Sequence, residues 1–148
     1  MSGIYMTLEM RKARSEIRRT TEECIMISNE LYPMLKEDMK RAEANRGRDY
    51  ITYTPDRKIG KTYNLMRLAA EYDYPLIVHD ARWARCIEKQ AKKLFNKNII
   101  VRSYRAISNT FDGLRCDVIL KDEPVDIVTV RDMLNEQGLG WVSVVGIN

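Results

Sequence analysis

Two short runs, Leu76-Ile77-Val78 and Val118-Ile119-Leu120, are apolar without interruption. A strand with one wet face alternates polar and apolar residues. A strand apolar throughout is buried on both faces, as in parallel sheets covered by helices on each side. Around these runs, from Asp49 onward, β-prone segments alternate with helical ones. The pattern predicts strands at 50–54, 75–79, 98–102, 117–121 and 141–147. It predicts helices at 61–72, 81–95 and 127–137, with a short helix near 104–110. Strands alternating with helices require crossovers of one hand and give an α/β, three-layer sandwich with a mostly parallel five-stranded sheet. Functional groups then collect beyond the carboxyl ends of the strands.

The first strand runs into Thr54-Pro55-Asp56-Arg57-Lys58-Ile59-Gly60-Lys61-Thr62, and a helix follows at once through Tyr63. Strand, loop, Gly-Lys-Thr and helix form the setting of a phosphate-binding loop. The loop Pro55–Tyr63 is the candidate cradle: its backbone N–H groups, which Pro55 lacks, converge there with a helix N-terminus and favour an anion. Lys61 is expected to reach terminal phosphates and the Thr62 hydroxyl to ligate Mg²⁺. Pro55 stands where the usual first glycine would be, and Asp56 brings a negative charge that pairs with Arg57 or Lys58. Gly-Lys-Thr by itself is equally compatible with a surface turn.

The fourth apolar run ends in Asp122-Glu123. Phosphoryl transfer to water needs a carboxylate to hold the metal and a second one to polarise the nucleophile. Asp122 is the candidate for the first role and Glu123 for the second. Asp-Glu after a strand is also a common solvated loop start. It is the pairing with Gly-Lys-Thr, in order and each at a strand's end, that points to a nucleotide site. His79 lies at another strand tip, where a structural or contact role suits it better than that of base. Trp83 shares helical spacing with Cys86 and Ile87, which favours packing over base stacking; Trp141 is a second candidate for stacking.

Residues 7–45 are rich in Glu, Lys, Arg, Met, Ala and Leu and read as helix. One series, Met10, Ile17, Cys24, Leu31, and another, Ala13, Thr20, Ile27, Met34, each recur at seven-residue steps and share a stripe. Such a stripe suits packing on a domain or one partner helix. Pro33 disfavours αR at Tyr32, so a break is expected there with a second helix following. The organisation is therefore a helical arm over 1–47 and a core over 48–148.

A chain of 148 residues suits one domain, and its net charge of +4 adds slight weight toward nucleic acid. The three cysteines, Cys24, Cys86 and Cys116, are far apart and with the lone His79 make no zinc set; reduced, buried or half-buried thiols are expected. No apolar run approaches the ~20 residues of a membrane span and no signal-peptide core opens the chain, so a cytoplasmic protein is expected.

The run Asp56-Arg57-Lys58-Ile59-Gly60-Lys61-Thr62 resembles the phosphate-binding loop of tailed-phage large terminases, which often lacks the first glycine and carries an arginine four before the lysine, the place of Arg57. The run from Phe111 to Glu123 resembles that family's G-x-R-x-D, apolar run, Asp-Glu stretch. The wider resemblance, over 49–148, is to the ATPase cores of terminases and superfamily 1 and 2 helicases. It implies a P-loop NTPase fold, ATP and Mg²⁺ as ligands, and ATP hydrolysis with Glu123, Lys61 and Arg57 as catalytic groups. It further implies DNA or a protein as partner, and the host cytoplasm as location if phage-encoded. In those cores a nucleic-acid-facing loop follows the second strand, here 78–82. A polar coupling residue ends the strand after Asp-Glu, here Ser143 or Asn148. Arg82, Arg85, Arg102, Arg105, Arg115 and the basic run 89–97 are candidate phosphate contacts, with a solvated face as the plain alternative. As departures from the family pattern, residues 1–148 are expected to hold neither a nuclease domain nor a second helicase core, nor the strand that often flanks the P-loop strand. The N-terminal helices or another subunit are then expected to cover that edge. A non-catalytic adaptor or inhibitor built on the same fold is the alternative reading; a nucleotide kinase fits less well because 102–115 is a poor lid.

Overall fold

The structure, a computed structural model, describes residues 21–53, 60–108 and 116–148, the side chains of 21–28 and 108 excepted. The helices are α1 (Thr21–Ala44), α2 (Lys61–Tyr72), α3 (Ala81–Phe95) and α4 (Ile127–Glu136). The strands are β1 (Asp49–Thr52), β2 (Leu76–Val78), β3 (Val101–Ser103), β4 (Val118–Lys121) and β5 (Ser143–Ile147), and a 3₁₀ turn spans Tyr104–Ser108. The five strands form one sheet in the order β1-β5-β4-β2-β3, and every pairing is parallel.

The alternation of side chains along each strand divides the core in two. Leu76, Val78, Val118, Leu120, Val145 and Ile147 face a layer made of α1, α2 and α3. Ile77, Ile119 and Val144 face α4 and the 3₁₀ turn, through Val130, Leu134 and Ile107. The central strands β2, β4 and β5 are buried along their whole length, as their apolar runs require. β1 lies at the edge and is only half buried. Helix starts are set by carboxylates: Asp80 accepts from the Trp83 N–H at 2.6 Å and Asp126 from the Thr129 N–H at 3.1 Å.

Three expectations are corrected. α1 is a single helix through Pro33, not two. The i→i−4 bond that proline cannot donate would have ended on the Asn29 carbonyl. Both Asn29 and Pro33 lie on the exposed face of the helix, where a carbonyl without a helical donor costs least. The buried stripe of α1 is Leu31, Tyr32, Leu35, Met39 and Ala42; Leu31 belongs to it, whereas Met34, the end of the second seven-residue series, is exposed. The third strand begins later than 98, at Val101, because its pairing with β2 starts only where Leu76 N–H meets the Ile100 carbonyl and Leu76 registers with Val101.

The described part of the arm shares one core with α2 and the sheet. α1 lies across the face of β1 and β5. Asp38 accepts from the Thr52 hydroxyl at 3.3 Å, and Ser143 Oγ donates to the carbonyls of Asn45 at 3.0 Å and Ala42 at 3.3 Å. The helix thus covers a face of β1; among the described residues nothing pairs with its outer edge. No helix among the described residues is long and apolar enough to cross a membrane.

Candidate functional site

Four of the predicted residues meet at the carboxyl ends of β1 and β4. Gly60 precedes α2 in the left-handed conformation, φ 74° and ψ 35°, which glycine adopts freely. This turn lets Lys61 and Thr62 open the helix. Lys61 is 9% exposed, and its Nζ lies 3.1 Å from Oε2 of Glu123, whose side chain is 50% exposed. The Thr62 hydroxyl faces the Asp122 carboxylate at 3.4 and 3.5 Å. Asp122 itself is 3% exposed, and its Oδ1 accepts from the Glu123 N–H at 2.9 Å. Between β1 and β4 stands β5, so the two halves of the cluster come from strands that do not touch.

The backbone of Asp122 is held from two sides. Its N–H donates to the Ile77 carbonyl at 3.1 Å, and its carbonyl accepts from the Val125 N–H at 3.2 Å. A third bond comes from a residue that sequence reasoning placed only as a strand end. Lys121 is 0% exposed, and its Nζ donates to the carbonyls of Asp122 at 3.0 Å and Ile147 at 2.8 Å. Burial pushes its pKa down to about 8, against the opposing pull of Asp122, Asp126 and Glu123. Its signal in the sequence was a charged residue closing an otherwise apolar strand. Asn64, one turn into α2, is also buried, with its N–H on the Gly60 carbonyl at 2.9 Å.

Pro55, Asp56, Arg57, Lys58 and Ile59 lie outside the described residues, as do residues 109–115 with Arg115. Tyr63 is exposed on α2 and packs against Phe95, ring centroids 5.4 Å apart. His79 sits at the β2 tip and pairs with Asp80, Nε2 to Oδ2 3.1 Å. Ser143 is at the start of β5, the end away from Lys61, where it secures α1; it cannot be a coupling residue at the strand's tip. Asn148 does stand at that tip, with its N–H on the Thr52 carbonyl at 2.9 Å. Trp83 packs against the core, and Trp141 is exposed. Cys116 is half buried, as expected, whereas Cys86 is exposed on α3. Arg82, Arg85, Lys89, Lys92 and Lys93 are exposed on α3, while Arg102 reaches Glu88 at 3.4 Å.

Among the described residues no three His, Cys, Asp or Glu side chains gather as a metal cluster. The hydroxyl–carboxylate pair of Thr62 and Asp122 is a different kind of donor set. Two hard oxygen donors suit Mg²⁺, which keeps most of its ligands as water and substrate oxygens. No protein-family model, curated protein or solved structure matches this chain.

Proposed function

We propose that the chain is a P-loop nucleoside triphosphatase that binds ATP with Mg²⁺ and hydrolyses it slowly alone, faster with DNA or a protein partner, as in terminase- and helicase-like machines of phage or mobile-element type acting in the cytoplasm. The observation that carries this reading is the convergence of Lys61 and Thr62 on Asp122 and Glu123 across the intervening strand. An ammonium beside a helix N-terminus is a phosphate anchor. Thr62 and Asp122 would hold Mg²⁺, which when bound neutralises charge on the phosphate oxygens.

On this reading Lys61 releases Glu123 as phosphate arrives and takes the phosphate charge in its place. Glu123, half exposed and hydrogen-bonded through its own N–H to Asp122, then accepts a proton from the attacking water. The buried Asp122, fixed at its N–H and carbonyl, keeps this carboxylate in place. Arg57 is the candidate cation in cis, and an arginine finger of that kind is worth on the order of 10³–10⁵ in rate.

The test is nucleotide-dependent thermal stabilisation with and without Mg²⁺, on wild type and Lys61→Ala, followed by turnover of Glu123→Gln. A triphosphatase gains stability with Mg·ATP through linkage, loses that gain in Lys61→Ala, and in Glu123→Gln binds without turning over. If no nucleotide shifts either protein, the adaptor reading replaces this one.

A further inference from the structure

We propose that Lys121 is a positioning residue for this site: its buried ammonium ties the Asp122 carbonyl to the Ile147 carbonyl, so that the ends of β4 and β5 move as one body. This rests on the reading of Asp122 and Glu123 given above.

The β4–β5 pairing ends at Lys121 opposite Gly146. Beyond that pair β4 parts from β5 to deliver Asp122 and Glu123, and β5 runs on to Ile147. The ladder has no further bond to offer there, and the Lys121 ammonium supplies one from inside, with donors to both carbonyls. The other side of β5 is tied in turn: Asn148 N–H donates to Thr52, the last residue of β1. One connected path therefore runs from the Asp122 peptide through Lys121 and the β5 tip to the strand that leads to Lys61.

The fold makes room for this lysine at the expense of packing. A Cβ on Gly146 would stand 2.5 Å from the Lys121 carbonyl oxygen and 2.8 Å from its Cβ. A buried ammonium also carries a desolvation penalty that an apolar side chain of similar volume avoids. Methionine would relieve that penalty but leave the Ile147 carbonyl without this donor, so the two effects on stability oppose one another. What methionine lacks is the pair of directed bonds to the two strand tips.

The experiment compares wild type with Lys121→Met and Lys121→Gln. Three quantities are read: melting temperature, Mg·ATP affinity and kcat. Amide hydrogen exchange at Asp122, Glu123 and Asn148 is read in the nucleotide-free proteins. The expected result for Lys121→Met is a little-changed melting temperature, affinity within about threefold, and kcat lowered tenfold or more, since small misplacements of reacting groups reach about 100-fold. Exchange at the three amides rises while the Leu120 amide, bonded to the Pro75 carbonyl deeper in the β2–β4 pairing, keeps its protection. Lys121→Gln, which retains a donor, falls between and decides the matter if the methionine variant does not fold. A kcat within twofold of wild type, or unchanged exchange at the three amides, overturns the proposal. So does a loss of stability and affinity together, which would make Lys121 a core residue only. If wild type binds no nucleotide, the site reading fails by itself, and the exchange experiment still decides whether Lys121 couples the two tips.

Discussion

Lys61 Nζ and Glu123 Oε2 lie 3.1 Å apart, so the cation expected to meet phosphate is already held by the carboxylate expected to activate water. The two roles compete for one another's charge. A partly exposed ion pair is worth about 0.2–1 kcal/mol. Glu123→Gln should therefore tighten Mg·ATP binding by roughly 1.5- to 5-fold while lowering turnover by at least about 100-fold, the usual scale of a lost general base. Titration calorimetry and a phosphate-release assay measure the two effects separately. Weaker binding in the variant would show that Glu123 does not restrain Lys61.

Gly146→Ala should destabilise the protein by about 1–3 kcal/mol, the usual scale of overpacking, or more because the obstacle is backbone. The added methyl meets the Lys121 carbonyl oxygen at 2.5 Å, and neither strand can withdraw without breaking the β4–β5 ladder. Urea unfolding gives the value. A variant as stable as wild type would mean that β5 has freedom the parallel pairing denies it.

Arg131 binds the opposite end of the sheet. From α4 its guanidinium pairs with Asp49 at the start of β1, with Nε 3.2 and 3.3 Å from the two carboxylate oxygens. It also donates to the carbonyls of Gly140 at 3.2 Å and Val142 at 2.9 Å. A lysine cannot reproduce this fork. Both Arg131→Lys and Arg131→Ala should lose about 1.5–3 kcal/mol, the scale of hydrogen bonds to charged groups, with Mg·ATP affinity unchanged. Full rescue by lysine would reduce the contact to simple charge attraction.

Burial, and then the charge of Asp117, push the Cys116 thiol up to about 11. At pH 8 iodoacetamide should therefore modify the exposed Cys86 well before Cys116, as read by peptide mass spectrometry. The same shift carries a stability consequence. Between its ordinary value near 9.0 and about 11 the folded chain keeps the proton while the unfolded chain loses it. The contribution is complete below pH 9 and declines as pH rises toward 11. Cys116→Ala should remove this part of the alkaline slope.

The helices at 61–72 and 81–95 were legible to the residue, because each couples an amphipathic run to a clear stop. The strand order was not legible. Periodicity says which segments are strands but not which are neighbours, and β5 inserts between β1 and β4 while β2 separates β4 from β3. Lys61, Thr62, Asp122 and Glu123 were found by residue type and position after a strand. Lys121 was passed over because its neighbourhood depends on the tip of a strand 26 residues away. Pro33 misled because propensity penalises the missing N–H without knowing that Asn29 and Pro33 lie on the exposed face.

The position of β5 has a consequence in time. Lys61 and Asp122 are both made before Ser143–Ile147, yet their strands meet only through that segment. During N-to-C synthesis the helix bearing Lys61 and the strand bearing Asp122 can each form early. Their spacing stays undefined until β5 slides between them. The nucleotide site proposed here would thus be born late and all at once, and a nascent chain lacking β5 would hold both halves of the chemistry without the ability to use them.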